Sequence, residues 1–317
     1  MGAHVAGDCP QMDALVEEAA LGVGAEIEAL AVPGLKGVVL GGGYGRGEGG
    51  VRFAADGRAD LSNDLDFYVV AEEGSSGADI AAIGLALAPV AGKWSARLGV
   101  SVDFSPAKTP WRIRHDQERL MVQELLRGFF DVAGEPGERM FEGVARLEPG
   151  KLPWTEAARL LMNRGAGLVL ALEPERFGGG DFAARNIAKC VLGAGDARLV
   201  ARGLYRWRAV ERAEALGEPL YGAALEWKFR PVDRAVCGWE EARDAWLGAL
   251  DEVRLAGGRM RPRAYCAARW IARRRTLGEL ATLGLDPVVR VLRRVERHVR
   301  AKRPVSPSLL RDWEVFN

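Results

Sequence analysis

The chain has 317 residues, and its 44 lysines and arginines against 43 aspartates and glutamates give a formal net charge of +1. This near-neutral balance excludes a global attraction to nucleic acid or anionic lipid, so a polyanion would have to be held by a local patch. The length allows two domains with separate cores.

Cysteine spacing and apolar runs exclude several other classes of protein. Cys9, Cys190, Cys237 and Cys266 are far apart and have no zinc-ligand spacing, which predicts reduced thiols. The N-terminal residues lack the basic and apolar regions of a secretory signal. No uncharged apolar run approaches the ~18 residues of a membrane span. We therefore expect a cytoplasmic protein with no membrane partner, and its oligomeric state is not indicated.

The first half of the chain alternates between strand and helix patterns. Apolar spacing predicts helices over 12–30, 78–98 and 117–126, and strands over 37–40, 65–71, 99–104 and 129–133. Residues 49–61, with two glycine-containing turns, predict a hairpin or a loop. Together these elements predict a small mixed β-sheet with helices packed on it.

The second half of the chain shows only helical periodicity. Apolar residues three and four apart predict helices over 156–172, 182–192, 197–216, 239–255, 264–280 and 288–301, with a glycine loop at 178–180. Two prolines bracket a short linker at 149–153. The expected fold is therefore α+β, with a catalytic-type domain over 1–150 and an all-helical domain over 151–317.

The most informative pattern is a glycine turn followed by two carboxylates. Gly41-Gly42-Gly43 follow one apolar strand, and Asp64 and Asp66 begin another. Residues i and i+2 of a strand project from one face, roughly 6.5 to 7 Å apart. Like charges at that spacing raise each other's pKa unless a cation compensates them, and a divalent metal holding a phosphate is suited to do so.

A third carboxylate, Asp103, lies in another alternating strand. Adjacent strands are about 4.8 Å apart, which would bring Asp103 to the same cluster. Three carboxylates could hold two Mg²⁺ ions about 3.5 to 4 Å apart, with Mn²⁺ as an alternative. No Lys-Ser or Lys-Thr follows the glycines, so a P-loop is excluded. Gly45, Gly47 and Gly50 have the spacing of a dinucleotide-binding fingerprint. That motif requires a helix after its last glycine, and because a turn follows here, it is disfavoured.

Gly-Gly-Tyr-Gly-Arg-Gly-Glu followed by an Asp-x-Asp strand resembles the signature of the DNA-polymerase-β-type nucleotidyltransferase superfamily. The matching positions are Gly42, Gly43, Asp64 and Asp66. The insertion at 49–61 lengthens the usual spacing, and glycine stands at 43 where many relatives carry serine. The resemblance implies metal binding by both aspartates and by Asp103.

The resemblance also implies that Gly42 and Gly43 cradle the phosphates of a nucleoside triphosphate. Arg46 could contact phosphate or pair with Glu48, and the sequence leaves both open. In two-domain relatives a basic residue of the helical domain reaches the triphosphate, and Lys189 is our first candidate, with Arg164 second. Asp103 is also the residue expected to help deprotonate the acceptor.

Residues 293–303 form the strongest basic run of the chain. We interpret it first as the charged face of a helix, so a nucleic-acid partner is left open and not favoured.

The expected function is therefore Mg²⁺-dependent transfer of a nucleoside monophosphate from a triphosphate such as ATP to an acceptor hydroxyl, with release of pyrophosphate. The alternative is a catalytically inactive nucleotide sensor or interaction module on the same fold. A small molecule, a protein or an RNA 3′ end is consistent with the motifs as acceptor, and the nucleotide base is not indicated.

Overall fold

The computed structural model describes residues 3–177, 179–258 and 287–314. The chain divides into two compact units, Met1–Leu147 with Phe229–Pro231, and Glu148–Lys228 with Val232–Asn317. This division falls beside the boundary predicted at residue 150. The described strands all lie in the first unit, and the predicted α+β class is confirmed.

The first unit is organised around a mixed four-stranded sheet. Its strands are β1 (Leu35–Leu40), β4 (Leu65–Ala71), β5 (Val102–Phe104) and β6 (Phe130–Gly134). Their order is β5-β4-β1-β6, with β1 antiparallel to β4 and β6, and β5 parallel to β4. The predicted strand over 99–104 is thus shorter than expected, while the prediction for 65–71 is confirmed.

The remaining elements of the first unit are two long helices, four short helices and a hairpin. They are α1 (Pro10–Leu30), α2 (Gly42–Gly45), α3 (Gly77–Leu98), α4 (Pro110–His115), α5 (Leu120–Leu125), α6 (Gly137–Met140), β2 (Val51–Phe53) and β3 (Ala59–Leu61). The segment 49–61, predicted as a hairpin or a loop, is the β2–β3 hairpin. Helix α4 was not predicted, and α5 begins three residues later than the predicted helix over 117–126.

A different hydrophobic core packs on each face of the sheet. Side chains alternate along β4, so its residues point in turn into one core and then the other. Leu65, Phe67 and Val69 pack into the larger core with residues of α1 and α3. Tyr68 and Val70 pack on the opposite face with residues of α4, α5 and α6. Because side chains alternate along a strand, Asp66 projects from the face of Tyr68 and Val70.

In the second unit every described regular element is a helix. After a 3₁₀ turn at Pro149–Lys151, the helices are α7 (Trp154–Leu170), α8 (Pro174–Phe177), α9 (Gly179–Arg202), α10 (Ala209–Leu216), α11 (Pro219–Phe229), α12 (Trp239–Gly258), α13 (Pro287–Arg300) and α14 (Pro307–Glu314). Helices α7, α9, α12 and α13 pack together, and the buried Trp246 indole of α12 donates to the Leu161 carbonyl at 2.9 Å.

The prediction of separate helices over 182–192 and 197–216 was wrong. Helix α9 continues through Gly193 and Gly195 and ends at Arg202, where Gly203 has φ +72°. A Cβ at Gly193 would lie 3.1 Å from Cβ of Arg164 on α7 and closer still to its Cγ. The glycines therefore allow close helix packing instead of interrupting α9.

Other predictions for the helical half have mixed outcomes. Helices α11 and α14, each short and beginning at a proline, were not predicted. The predicted loop at 178–180 was wrong for Gly179 and Gly180, which begin α9, and residue 178 lies outside the described residues. The predicted helix over 264–280 also lies outside them. Among the described helices, none has the length and apolar character needed to cross a membrane.

Candidate active site

The glycine turn lies directly after β1, at the end of the sheet where β4 and β5 begin. The Gly41 N–H donates to the Asp66 carbonyl at 2.9 Å, which ties the turn to β4. The Gly45 N–H then donates to the Gly41 carbonyl at 2.8 Å and closes the one-turn helix α2. The turn and the first carboxylate strand are thereby joined through the main chain.

Gly42 is the position where this turn requires glycine. Its φ of +61° lies in the left-handed region that side chains disfavour. A Cβ there would lie 3.1 Å from Cβ and Cγ of Asp66 and closer still to its Oδ2. The Asp66 carboxylate therefore packs against the Cα of Gly42 in space that any larger residue would fill.

Gly43, the second predicted phosphate-binding glycine, has a looser environment. A Cβ at this position would lie 3.3 Å from the Glu48 carbonyl oxygen, and its φ is not positive. Its own carbonyl accepts from the Glu48 N–H at 2.8 Å and from the Arg46 N–H at 3.2 Å. Gly43 thus contributes to the turn through its main chain.

Asp66 and Asp103 are register partners on neighbouring parallel strands. Both are exposed, whereas Val102 and Phe67 beside them pack into the larger core, so the two carboxylates project from the same face of the sheet. The Ser101 hydroxyl donates to Asp103 Oδ1 at 2.8 Å and orients that carboxylate. Two exposed like charges side by side form a pair suited to a bound cation.

Asp64, the third predicted carboxylate, precedes the first residue of β4 and is half-buried. The loop that leads to it is fixed by the buried Tyr44 of the glycine turn. The Tyr44 hydroxyl donates to the Gly50 carbonyl at 2.9 Å and accepts from the N–H groups of Ser62 and Asn63 at 3.2 and 3.3 Å. The hairpin insertion is therefore anchored at its base, immediately before Asp64.

Arg46 forms ion pairs with two carboxylates at the back of the glycine turn. Its guanidinium lies 3.7 Å from the Glu48 carboxylate and 3.5 Å from that of Glu124 on α5. Of the two alternatives left open by the sequence, the structure contains the pairing with Glu48, and phosphate binding by Arg46 stays a prediction. Sequence reasoning missed Glu124, although an acidic residue within the apolar run 120–126 was a usable signal.

Tyr68 on β4 lies near the charged side chains of Asp66, Glu124 and Arg46, which influence the pKa of its hydroxyl. Burial raises the pKa of the Tyr68 hydroxyl, and the nearby carboxylates of Asp66 and Glu124 raise it further, while Arg46 opposes them. Asp66 and Glu124 thus place negative charge near Tyr68 on this face of the sheet, beside the positive charge of Arg46.

Lys189 and Arg164, the predicted basic contacts, belong to the helical unit. Lys189 is half-buried on α9, and Arg164 on α7 packs its side chain against Gly193 of α9. A role for either residue toward a triphosphate stays a prediction.

The donor chemistry of the carboxylates fits a hard divalent cation. Mg²⁺ takes oxygen ligands and is usually bound through one or two carboxylates together with substrate phosphates and water. Over the described ranges of the chain, no three or more His, Cys, Asp or Glu side chains are grouped closely enough to hold a metal ion by themselves. The pair that the structure brings together is Asp66 with Asp103.

Comparison with known proteins does not assign the chain to a family. The sequence matches no protein-family model, and no curated protein matches it significantly. The functional argument therefore depends on the residues and their geometry.

Proposed function

We propose that the protein is a Mg²⁺-dependent nucleotidyltransferase that moves a nucleoside monophosphate from a nucleoside triphosphate to an acceptor hydroxyl. The observation that supports this most directly is the register pairing of Asp66 with Asp103, beside a turn in which Gly42, lacking a Cβ, makes room for the Asp66 carboxylate. The sequence resemblance to the polymerase-β-type superfamily points to the same reaction.

In this proposal the residues of the chain act mainly by positioning and charge neutralisation. Asp66 and Asp103 would hold Mg²⁺, and the glycine turn would admit the phosphates. Asp64, just before β4, stays a predicted further ligand. Bound Mg²⁺ would neutralise phosphate charge and polarise the acceptor oxygen. Asp103, oriented by the Ser101 hydroxyl on its Oδ1, would also help to deprotonate the acceptor.

The arginine behind the turn would act as a positioning residue. Arg46 links Glu48, at the end of the glycine turn, to Glu124 on α5. Opposite charges held this close resist displacement of the turn when a highly charged ligand enters. The role proposed for the glycines therefore depends on a cluster that includes Glu124.

The test is a transfer assay with each α-labelled triphosphate, Mg²⁺ and fractionated cell extract. Label entering small molecules, protein or RNA identifies the acceptor class, and released pyrophosphate gives a second readout. Asp66→Asn and Asp103→Asn should each lower transfer at least about a hundredfold, since several kcal/mol of charge stabilisation is lost. Asp60→Asn is the matched control, because it removes an exposed carboxylate of the neighbouring hairpin.

Two outcomes would overturn the proposal. If the unaltered protein binds Mg²⁺-nucleotide by calorimetry yet transfers no label to any fraction, the alternative of a nucleotide sensor is supported. If Asp60→Asn lowers transfer as much as Asp66→Asn does, the carboxylate pair has no special role.

A further inference from the structure

Helix α13 separates its apolar and basic residues onto different faces. Its buried residues are Val288, Val291, Leu292, Val295 and Val299. Arg290, Arg293 and Arg297 are exposed and follow one another at spacings of three and four residues. Residues so spaced are neighbours on one side of a helix. Arg293 and Arg297 of the basic run thus form, together with Arg290 before it, a row of three outward arginines.

The ion pairs of α13 that the structure describes are formed by other residues of the helix. Its single acidic residue, Glu296, accepts from Arg254 at 3.0 Å and from Arg300 at 2.8 Å, and Arg294 pairs with Asp312. None of the ion pairs between described residues includes the three outward arginines. The helix has five arginines and one glutamate, a net charge of +4 in a chain whose total is +1. Over the described part of the chain, the three outward arginines thus carry positive charge that no ion pair offsets, unlike Arg294 and Arg300 of the same helix.

The row has the spacing and chemistry of a phosphate-binding surface. With a rise of 1.5 Å per residue, it extends about 10 Å along the helix axis. The guanidinium is a planar fork that matches phosphate oxygens in a bidentate geometry, which an ammonium group does not. We propose that the exposed arginines of α13, Arg290, Arg293 and Arg297, bind the phosphodiester backbone of a nucleic acid strand.

Two other anionic partners fit the surface less well. A helix that lies on a membrane inserts its own apolar face into the lipid, whereas the apolar face of α13 is buried within the helical unit. A protein partner is normally held by apolar or aromatic anchors at the centre of the interface. Helix α13 exposes none of the large apolar side chains found exposed elsewhere in the described chain.

The test measures binding of the full-length protein to a labelled single-stranded RNA of about 20 nucleotides by fluorescence anisotropy, at about 50 to 200 mM salt. DNA of the same sequence is the second arm. For single strands each phosphate contact contributes about 0.7 to the slope of log K against log salt, so R290Q/R293Q/R297Q should reduce that slope by about 2. Tighter binding of RNA or of DNA would identify the strand that the surface prefers.

The matched control is R139Q/R146Q/R208Q, which removes three exposed arginines from elsewhere in the described chain. It should leave the slope unchanged. Glutamine is a good helix former, and circular dichroism melting checks that both variants fold. If the α13 variant unfolds, the single substitution R293Q should still reduce the slope by about 0.7.

Three results would overturn the proposal: no salt-dependent binding of either strand, an equal loss in the control variant, or displacement of the strand by polyglutamate at equal charge concentration. The last result would assign the surface to acidic proteins. The assay contains neither nucleotide nor Mg²⁺, so its outcome is independent of the nucleotidyl-transfer proposal.

Discussion

Substitution of Gly42 by alanine tests the link between the glycine turn and the first carboxylate strand. The new methyl group would be attached to a residue with φ +61° and would displace the Asp66 carboxylate that now packs against the Gly42 Cα. The left-handed conformation costs a residue with a Cβ about 1 to 2 kcal/mol. For a unit of this size, each kcal/mol corresponds to a Tm change of about 2 to 4 °C.

We therefore expect Gly42→Ala to lower the Tm of the first unit by about 2 to 8 °C. The effect on the site should be larger than the effect on the fold, because the methyl group would displace an exposed carboxylate and not a core side chain. Moving this carboxylate from its register partner Asp103 should weaken Mg²⁺-nucleotide binding at least about tenfold, or 1.4 kcal/mol.

Gly43→Ala is the control, since it adds the same methyl group one residue later without a positive φ, at 3.3 Å from its nearest neighbour. Calorimetry measures both melting and Mg²⁺-nucleotide binding for the two variants. Equal Tm values for Gly42→Ala and Gly43→Ala would refute the strain argument. A lowered Tm with unchanged nucleotide affinity would refute the argument that Gly42 makes room for Asp66.

Three other predictions follow from local packing and burial. Gly24→Ala should destabilise the fold by about 2 kcal/mol or more, because its Cβ would overlap the Val132 carbonyl. Gly84→Ala, in open space on α3, should instead stabilise the fold by about 0.5 to 1 kcal/mol. Urea unfolding measures both changes. Tyr44→Phe removes a buried hydroxyl with three main-chain partners and should cost about 1 to 3 kcal/mol, with faster hydrogen exchange across the hairpin. Burial, with a nearby glutamate, raises the pKa of the Cys237 thiol to about 11. The rate of its alkylation, measured by mass spectrometry, should therefore increase about tenfold per pH unit from pH 8 to 10. A rate independent of pH would contradict this.

The carboxylate strand was predictable because its geometry is local. Alternation of Leu65, Asp66 and Phe67 fixes which side chain faces the core, whatever the strand pairs with. The sequence also predicts a helix between two strands, which is the crossover that a parallel pair requires, and Asp103 lies on the second of these strands. The capping box of Ser76 and Asp79 at the start of α3 is a similarly local signal.

The parts that were missed depend on contacts between distant segments. Glu124 lies on a helix that the sequence predicts, but its link to Arg46 depends on the tertiary fold. The sequence predicts two helices where α9 is one, because it does not show that Arg164 and Tyr221 pack where side chains at Gly193 and Gly195 would lie. The sequence does not distinguish the outward arginines of α13 from the other arginines of the helix, because the difference lies in the ion pairs that Arg294 and Arg300 form.

The β2–β3 hairpin also has a practical consequence for studying the site. Its base is held by the Tyr44 hydroxyl through Gly50 and Ser62, while its tip at residues 55–58 is exposed and Gly57 has open space around it. A fluorophore or a short tag grafted at the tip would leave the anchored base intact. Because that base leads into Asp64, the hairpin offers an attachment point for a probe that reports on ligands entering the site in real time.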